Sequence, residues 1–267
     1  MIGAIIGDTA GSIYEFHNIR TKDFVPFEGG VTPTDDSMMT LAVAAALLKC
    51  KEDYSDLSEK AIEYMQRLGE EYPFAGYGGM FSIWLESKDP RPYNSFGNGA
   101  AMRVSPCRWA ATSLEQAKEL SKKVTEVTHN HPEGIKGAEA TTVATYMALH
   151  GSSMEEIRDV ICRDYYKIDF TLDEIRPIYK FNESCQGTVP QALEAFFESA
   201  DFEDALKNAI SIGGDSDTVR AITCAIAGAY YGVPKKYREL VYTAMDDLMI
   251  AILEKFEAKY GKKDLRE

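Results

Sequence analysis

The stretch Pro33–Leu48, "PTDDSMMTLAVAAALL", decides how the chain is read. From Met38 onward it is apolar and rich in small residues, with no polar face. A helix of that kind belongs in an interior, and its Ala residues let neighbouring backbones come close. Yet it opens on two adjacent carboxylates, Asp35 and Asp36. The pattern returns late in "SIGGDSDTVRAITCAIAG" (Ser211–Gly228), where Asp215 and Asp217 stand before another helix that is apolar nearly all round. Thr218 stands beside Asp217 much as Thr34 stands beside Asp35.

Two explanations compete for these clusters. Thr and Asp are good N-cap residues, and a negative charge at a helix N-terminus gains about 0.3–1 kcal/mol. A cap, however, needs one oxygen or two. Four carboxylates and two hydroxyls at the mouths of two central helices are more than capping requires. If those mouths converge, each pair of like charges a few ångströms apart repels by about 4 kcal/mol at an effective dielectric near 20. Bound cations would offset that cost. All-oxygen ligation by carboxylate, hydroxyl and water suits a hard ion such as Mg²⁺ or Mn²⁺, and this many acids can hold two ions that share a carboxylate.

Helical periodicity runs through the rest of the chain. In "SLEQAKELSKKVTEVT" (Ser113–Thr128), Leu114, Ala117, Leu120, Val124 and Val127 recur at three- and four-residue steps. Ser153–Tyr166, Val189–Ser199 and Lys235–Tyr260 read the same way, the last as one long helix. Ala138–Leu149 and Val219–Val233 join Met39–Leu48 as segments without a polar face. No alternating strand pattern stands out, and the predicted fold is all-α, central helices wrapped by amphipathic ones. Thr21–Pro33, Glu71–Gly79 and Lys88–Gly99 are rich in Gly, Pro, Asn or Asp and are expected as loops. With 267 residues and no linker-like composition, one domain spanning 1–267 is expected.

Charge and cysteine usage exclude several classes. Twenty-nine Lys and Arg stand against 42 Asp and Glu, a net charge of −13, so nucleic acid and anionic membranes are poor partners. Five scattered cysteines, an odd count without a CxxC pair, suggest neither a disulfide framework nor a zinc site. Reduced thiols, and an opening "MIGAIIGD" without the basic flank of a signal peptide, predict a cytoplasmic protein.

Five ordered motifs, "GDTAGSIYEF" (Gly7–Phe16), "TDDSMMTLA" (Thr34–Ala42), "SFGNGAAMRVSP" (Ser95–Pro106), "THNHPEGIKGA" (Thr128–Ala138) and "IGGDSDTVRAITCAIAGAYYG" (Ile212–Gly232), resemble those of the ADP-ribosylglycohydrolase family. The resemblance runs from Gly3 to about Pro234 and implies a compact orthogonal multi-helix bundle. It also implies two Mg²⁺ or Mn²⁺ ions held by Thr34, Asp35, Asp36, Asp215, Asp217 and Thr218, with Asp217 as the bridge. Glu15 matches the family's cleft glutamate, a candidate acid/base, and the implied catalytic set is Glu15, Asp35 and Asp36. Read without the family, an isolated Glu is more often a surface acid.

The substrate half of such a site would come from "GYGG" (Gly76–Gly79) and "NSFGNGAAMR" (Asn94–Arg103). Gly78, Gly79, Ser95, Phe96, Gly97, Asn98 and Gly99 are the implied contacts, with Phe96 as a stacking face and successive amides cradling the diphosphate. For the Gly/Asn run alone, a tight turn is the simpler reading. His129 matches a family position that contacts ADP-ribose; His131 fits equally well in a helix-start turn. The implied reaction is metal-dependent hydrolysis of the glycosidic bond at C1″ of ADP-ribose, releasing it from a protein side chain, arginine favoured, or from a small conjugate, by a monomer. A non-catalytic ADP-ribose binder and a metal phosphohydrolase acting on a nucleotide are the rival expectations.

Overall fold

A computed structural model describes residues 1–14 and 17–261. The described elements are helical, in the order α1 (Ile2–Gly11), α2 (Asp35–Lys49), α3 (Leu57–Glu71), α4 (Gly79–Leu85), α5 (Gly99–Met102), α6 (Ser105–Ala110), α7 (Leu114–Thr125), α8 (Pro132–Leu149), α9 (Met154–Asp164), α10 (Leu172–Ile175), α11 (Cys185–Phe197), α12 (Phe202–Ser211), α13 (Ser216–Tyr230), α14 (Lys235–Ala244) and α15 (Asp247–Tyr260), with a short 3₁₀ turn at Ser12–Tyr14. Among the described residues strand pairing is limited to one isolated bridge between Gly97 and Ser184. The fold is thus all-α, as predicted.

The three helices without a polar face sit at the centre. α13 packs against α1, α8, α11 and α12, while α2 packs against α1, α3, α6 and α15. The contact between α1 and α13 is the most extensive, and glycine explains its closeness. A Cβ on Gly3 would lie 2.2 Å from the Cys224 carbonyl oxygen, and one on Gly7 2.3 Å from that of Arg220. Only a residue without a side chain lets these two backbones touch. All of α1 is buried, Asp8 and Thr9 included.

The amphipathic helices wrap this centre with the expected faces inward. On α7, Ala117, Leu120 and Val124 are buried, and Ser113 caps the helix by accepting from the Gln116 amide at 3.1 Å. One predicted element differs. The long helix over Lys235–Tyr260 is two helices, because Met245 is extended and Asp246 caps α15 by accepting from the Met249 amide at 2.9 Å. The Tyr72 hydroxyl donates to the same Asp246 carboxylate at 2.8 Å and fixes the break. A continuous apolar stripe does not show such a break; the Asp246–Asp247 pair is its only mark. α11 also starts four residues ahead of Val189, where Ser184 accepts from the Gly187 amide.

Candidate metal centre and substrate cleft

The starts of α2 and α13 meet. The Thr218 hydroxyl donates to Asp36 Oδ2 at 3.1 Å, and the Thr34 hydroxyl lies 3.5 Å from Asp217 Oδ2. Asp36 is 2 % and Asp217 4 % exposed, so the two carboxylates face each other out of bulk water. Asp215 begins α13 and accepts from the Asn98 side-chain amide at 2.6 Å. Asp35 is half-buried, and its amide is held by the Ala75 carbonyl at 2.8 Å. Asp35, Asp36, Asp215, Asp217 and Thr218 all line one cleft of about 620 Å³.

Local sequence produces each approach. Before α13, Gly213 and Gly214 take φ of +68° and +81°, values that a side chain would strain. Asn18 grips this turn from both sides. Its side chain accepts from the Gly214 amide at 2.7 Å and donates to the Gly214 carbonyl at 3.1 Å. Before α2, Thr34 acts as N-cap, its hydroxyl oxygen accepting from the Asp36 amide at 3.4 Å.

Asp8, which sequence reasoning did not single out, organises the start of α2. Its Oδ2 accepts from the Thr34 amide at 2.9 Å, from the Ser37 amide at 3.1 Å and from the Ser37 hydroxyl, while Oδ1 accepts from the Thr34 hydroxyl at 2.5 Å. Asp8, Asp36 and Asp217 bring carboxylate oxygens within 4.8 Å of one another. By distance Asp8 belongs to the cluster. By hydrogen bonding it is committed to the helix start, with three donors already on Oδ2, so it positions Thr34 to Ser37 more than it offers itself to an ion. The signal was legible: one acid in a helix whose other residues are apolar, glycine or threonine.

Electrostatics follow from crowding in a dry place. Burial, with the charge of Asp217 added, raises the Asp8 carboxyl to about 6 against the donors from Ser37 and Thr34. Burial raises Asp36 well above the ordinary carboxylate range, and Asp217, Asp8, Asp35 and Asp215 push it the same way. Asp36 Oδ1 is buried without a hydrogen-bond donor. A carboxylate oxygen in that state is costly unless a cation or a proton occupies it. The donor set, carboxylates with two threonine hydroxyls, therefore fits a hard divalent ion.

The opposite wall carries the predicted substrate residues. Gly78, Gly79, Ser95, Phe96, Gly97, Asn98, Gly99 and His129 all line the cleft. The amides of Gly97 and Asn98 are already used, by the Ser95 hydroxyl at 3.1 Å and the Glu183 carbonyl at 2.7 Å. The expected run of anion-facing amides is shortened there. Asn98 instead ties the loop to the acid cluster, through Asp215 and the Thr188 hydroxyl.

His129 is buried and held neutral, its pKa lowered by desolvation and by the Arg103 charge. The Thr128 hydroxyl, which accepts from Arg103 Nη2 at 2.6 Å, lies 2.7 Å from Nδ1, and Arg103 Nη2, a pure donor, lies 3.4 Å from the same atom, an arrangement that suits Nδ1 as acceptor and leaves the proton on Nε2. Nε2 faces the glycine loop, where a Cβ on Gly97 or Gly99 would lie 3.4 Å away. His131, by contrast, caps α8 by accepting from the Glu133 amide at 3.1 Å. Its ring centroid stands 5.2 Å from that of half-exposed Phe96. Arg103, at the end of the expected Asn94–Arg103 stretch, also lines the cleft, as do Tyr93 and Phe181, which were not expected there. Glu15 lies outside the described residues.

The chain is an all-helical bundle with paired Thr-Asp helix starts at one cleft. The sequence model of the ADP-ribosylglycohydrolase family matches residues 1–263, and the chain belongs to that family of enzymes. It is similar to the ADP-ribosylhydrolase ARH3 of Homo sapiens, 26% identical over 90% of this chain and 87% of that protein. It is also similar to the ADP-ribosyl-[dinitrogen reductase] glycohydrolase of Rhodospirillum rubrum, 26% identical over 100% of this chain and 92% of the other. An uncharacterised protein of Archaeoglobus fulgidus is 31% identical over 90% of this chain and 89% of its own. Among solved structures, an ADP-ribosylglycohydrolase-related protein complex shares the fold, with a TM-score of 0.68 at 23% identity over 99% of this chain and 97% of that one. No helix among the described residues is long and apolar enough to cross a membrane.

Proposed function

We propose that the chain hydrolyses the glycosidic bond at C1″ of ADP-ribose, freeing ADP-ribose from a modified arginine side chain of a protein or from a related small conjugate. The observation that carries this reading is the junction of Thr218 with Asp36, which brings two acidic helix starts to the floor of the cleft. Two divalent cations, Mg²⁺ or Mn²⁺, complete the site. Thr34, Asp35, Asp36, Asp215, Asp217 and Thr218 would hold them. When bound, they supply charge neutralisation, alignment of the ribose hydroxyls and an acidified water.

The chain's own residues do the rest. His129 offers its Nε2 proton to an anionic or hydroxyl oxygen beside the glycine loop. Gly78, Gly79, Gly97 and Gly99 leave room for the diphosphate, Ser95 adds a hydroxyl, and Phe96 offers a ring face at the mouth. Asn98 acts indirectly, by fixing Asp215. Glu15 keeps the acid/base role that the family resemblance implies for it. The arginine preference draws support from the acidic lining, where half-buried Asp35 and exposed Glu183 border the cleft and would favour a cationic leaving side chain.

The test is product identity. Peptides carrying ADP-ribosyl-arginine or ADP-ribosyl-serine are incubated with the protein in Mg²⁺, in Mn²⁺ and in excess chelator, then resolved by mass spectrometry. The reading predicts intact ADP-ribose plus unmodified peptide, faster from arginine, and none with chelator. AMP or phosphate among the products would reject it for a phosphohydrolase, and no cleavage of either peptide would leave a binder.

A further inference from the structure

Behind the acid cluster stands a buried arginine that the proposed chemistry does not use. Arg220 lies on α13, one turn beyond Asp217, and is fully buried. Its guanidinium rests on Gly11, where a Cβ would fall 1.7 Å from Nε and 1.8 Å from Cζ and Nη2. Gly11 ends α1 one turn beyond Asp8. Arg220 thus stands three residues from Asp217 on α13, and the glycine it rests on stands three residues from Asp8 on α1, the spacing that makes neighbours on a helix. The Tyr14 ring lies 6.0 Å from Cζ.

Nε, Nη1 and Nη2 of Arg220 have no hydrogen-bond partner among the described residues. An arginine in a core ordinarily shares its five donors with carbonyls or a carboxylate fork. Among the described residues this one does neither, and the acids act on it through charge. Desolvation draws its pKa down to about 10, and Asp217 followed by Asp8 oppose that fall. It is a cation at neutral pH, placed where the field of the carboxylates is strong.

We infer that Arg220 is a built-in countercharge, a positioning residue whose charge acts on Asp217 and Asp8 in place of the divalent cations and so limits how tightly the cleft holds them. The inference rests on the cation reading above. In the cation-free protein the guanidinium relieves repulsion among the acids. With cations present it repels them, so the same charge that steadies the empty cluster weakens the loaded one. Linkage requires the converse: a neutral residue at this place binds cations more tightly and leaves the stripped protein less stable.

The experiment titrates Mn²⁺ into metal-stripped protein and reads the free aqueous ion by electron paramagnetic resonance. Wild type is compared with Arg220→Met, Arg220→Gln and Arg220→Lys, each checked for helical content by circular dichroism. The two neutral variants are expected to bind Mn²⁺ about fivefold or more tightly than wild type at low ionic strength, with Arg220→Lys close to wild type. Should Arg220→Met fail to fold, Arg220→Gln decides. Equal or weaker binding in a folded neutral variant overturns the role of Arg220 while leaving the cation reading intact. A wild-type protein that takes up no Mn²⁺ removes both.

Discussion

The Thr218 hydroxyl donates to Asp36 across 182 residues of chain, and this bond is the shorter of two that join the start of α13 to the start of α2. It turns two capping patterns into one site. Thr218→Val removes the hydroxyl at nearly constant volume and leaves Asp36 with two unpartnered oxygens. Cation affinity should fall at least about 10- to 100-fold, the range for cutting a hydrogen bond that orients a metal ligand, because the variant also loses the Thr218 oxygen as a ligand. Calorimetric titration of Mg²⁺ into the folded variant measures this; undiminished affinity would mean the bond does not serve the site.

The raised carboxyls fix a pH dependence. Asp8 titrates at about 6 in the fold against an ordinary 3.8, and Asp36 is shifted in the same direction. The folded protein thus keeps protons that the unfolded chain gives up. Stability from Asp8 is fully present below its unfolded pKa and is lost as pH rises through about 6, up to about 3 kcal/mol in the stripped protein. Urea unfolding in chelator should show this loss between about pH 4 and 7, with saturating Mg²⁺ restoring stability at the upper end. A stripped protein that gains stability over that window, in a manner unaltered by Asp8→Asn, contradicts the assignment.

Gly11→Ala tests the packing of the same region. Helix propensity alone favours Ala by about 1 kcal/mol. The added methyl would collide with the Arg220 guanidinium, and overpacking of this kind costs about 1–3 kcal/mol. The clash should win in the wild-type background and vanish in Arg220→Ala, where Gly11→Ala becomes neutral or stabilising. A double-mutant cycle of unfolding free energies reads the coupling directly.

His129 should bind as a neutral donor. Its lowered pKa keeps it uncharged throughout the neutral range. Affinity for ADP-ribose should therefore show no histidine titration between about pH 6 and 8. His129→Phe, which keeps the ring and loses the Nε2 proton, should weaken it about tenfold, as a lost hydrogen bond in a buried site does. A pH-dependent affinity that disappears in the variant would instead point to a charged imidazole.

Much of this was legible from residue patterns. Segments without a polar face identified α2, α8 and α13 as central, because a helix apolar nearly all round has no side to turn to water. The Thr-Asp doublets marked the helix starts that meet. What one-dimensional reading lacked was direction. Asp8 stands out as the one acid of its segment, but only the fold shows its carboxylate receiving the start of α2. The Gly97 and Asn98 amides belong to a loop that spends them on its own turn and on Glu183, a partner 85 residues away in sequence, which composition does not reveal. Arg220 reads as an ordinary helix residue until Gly11 is seen beneath it. His129 and His131, two residues apart, serve different ends because α8 begins at Pro132 and takes His131 as its N-cap.

The central claim is that the two helix starts hold divalent cations together. Diffraction from crystals grown with Mn²⁺, collected at the manganese edge, addresses it most directly. The account predicts two anomalous peaks at the foot of the cleft, within ligand distance of Asp36 and Asp217, both absent in Asp36→Ala crystals. Active crystals with no anomalous peak between the two helix starts would contradict it.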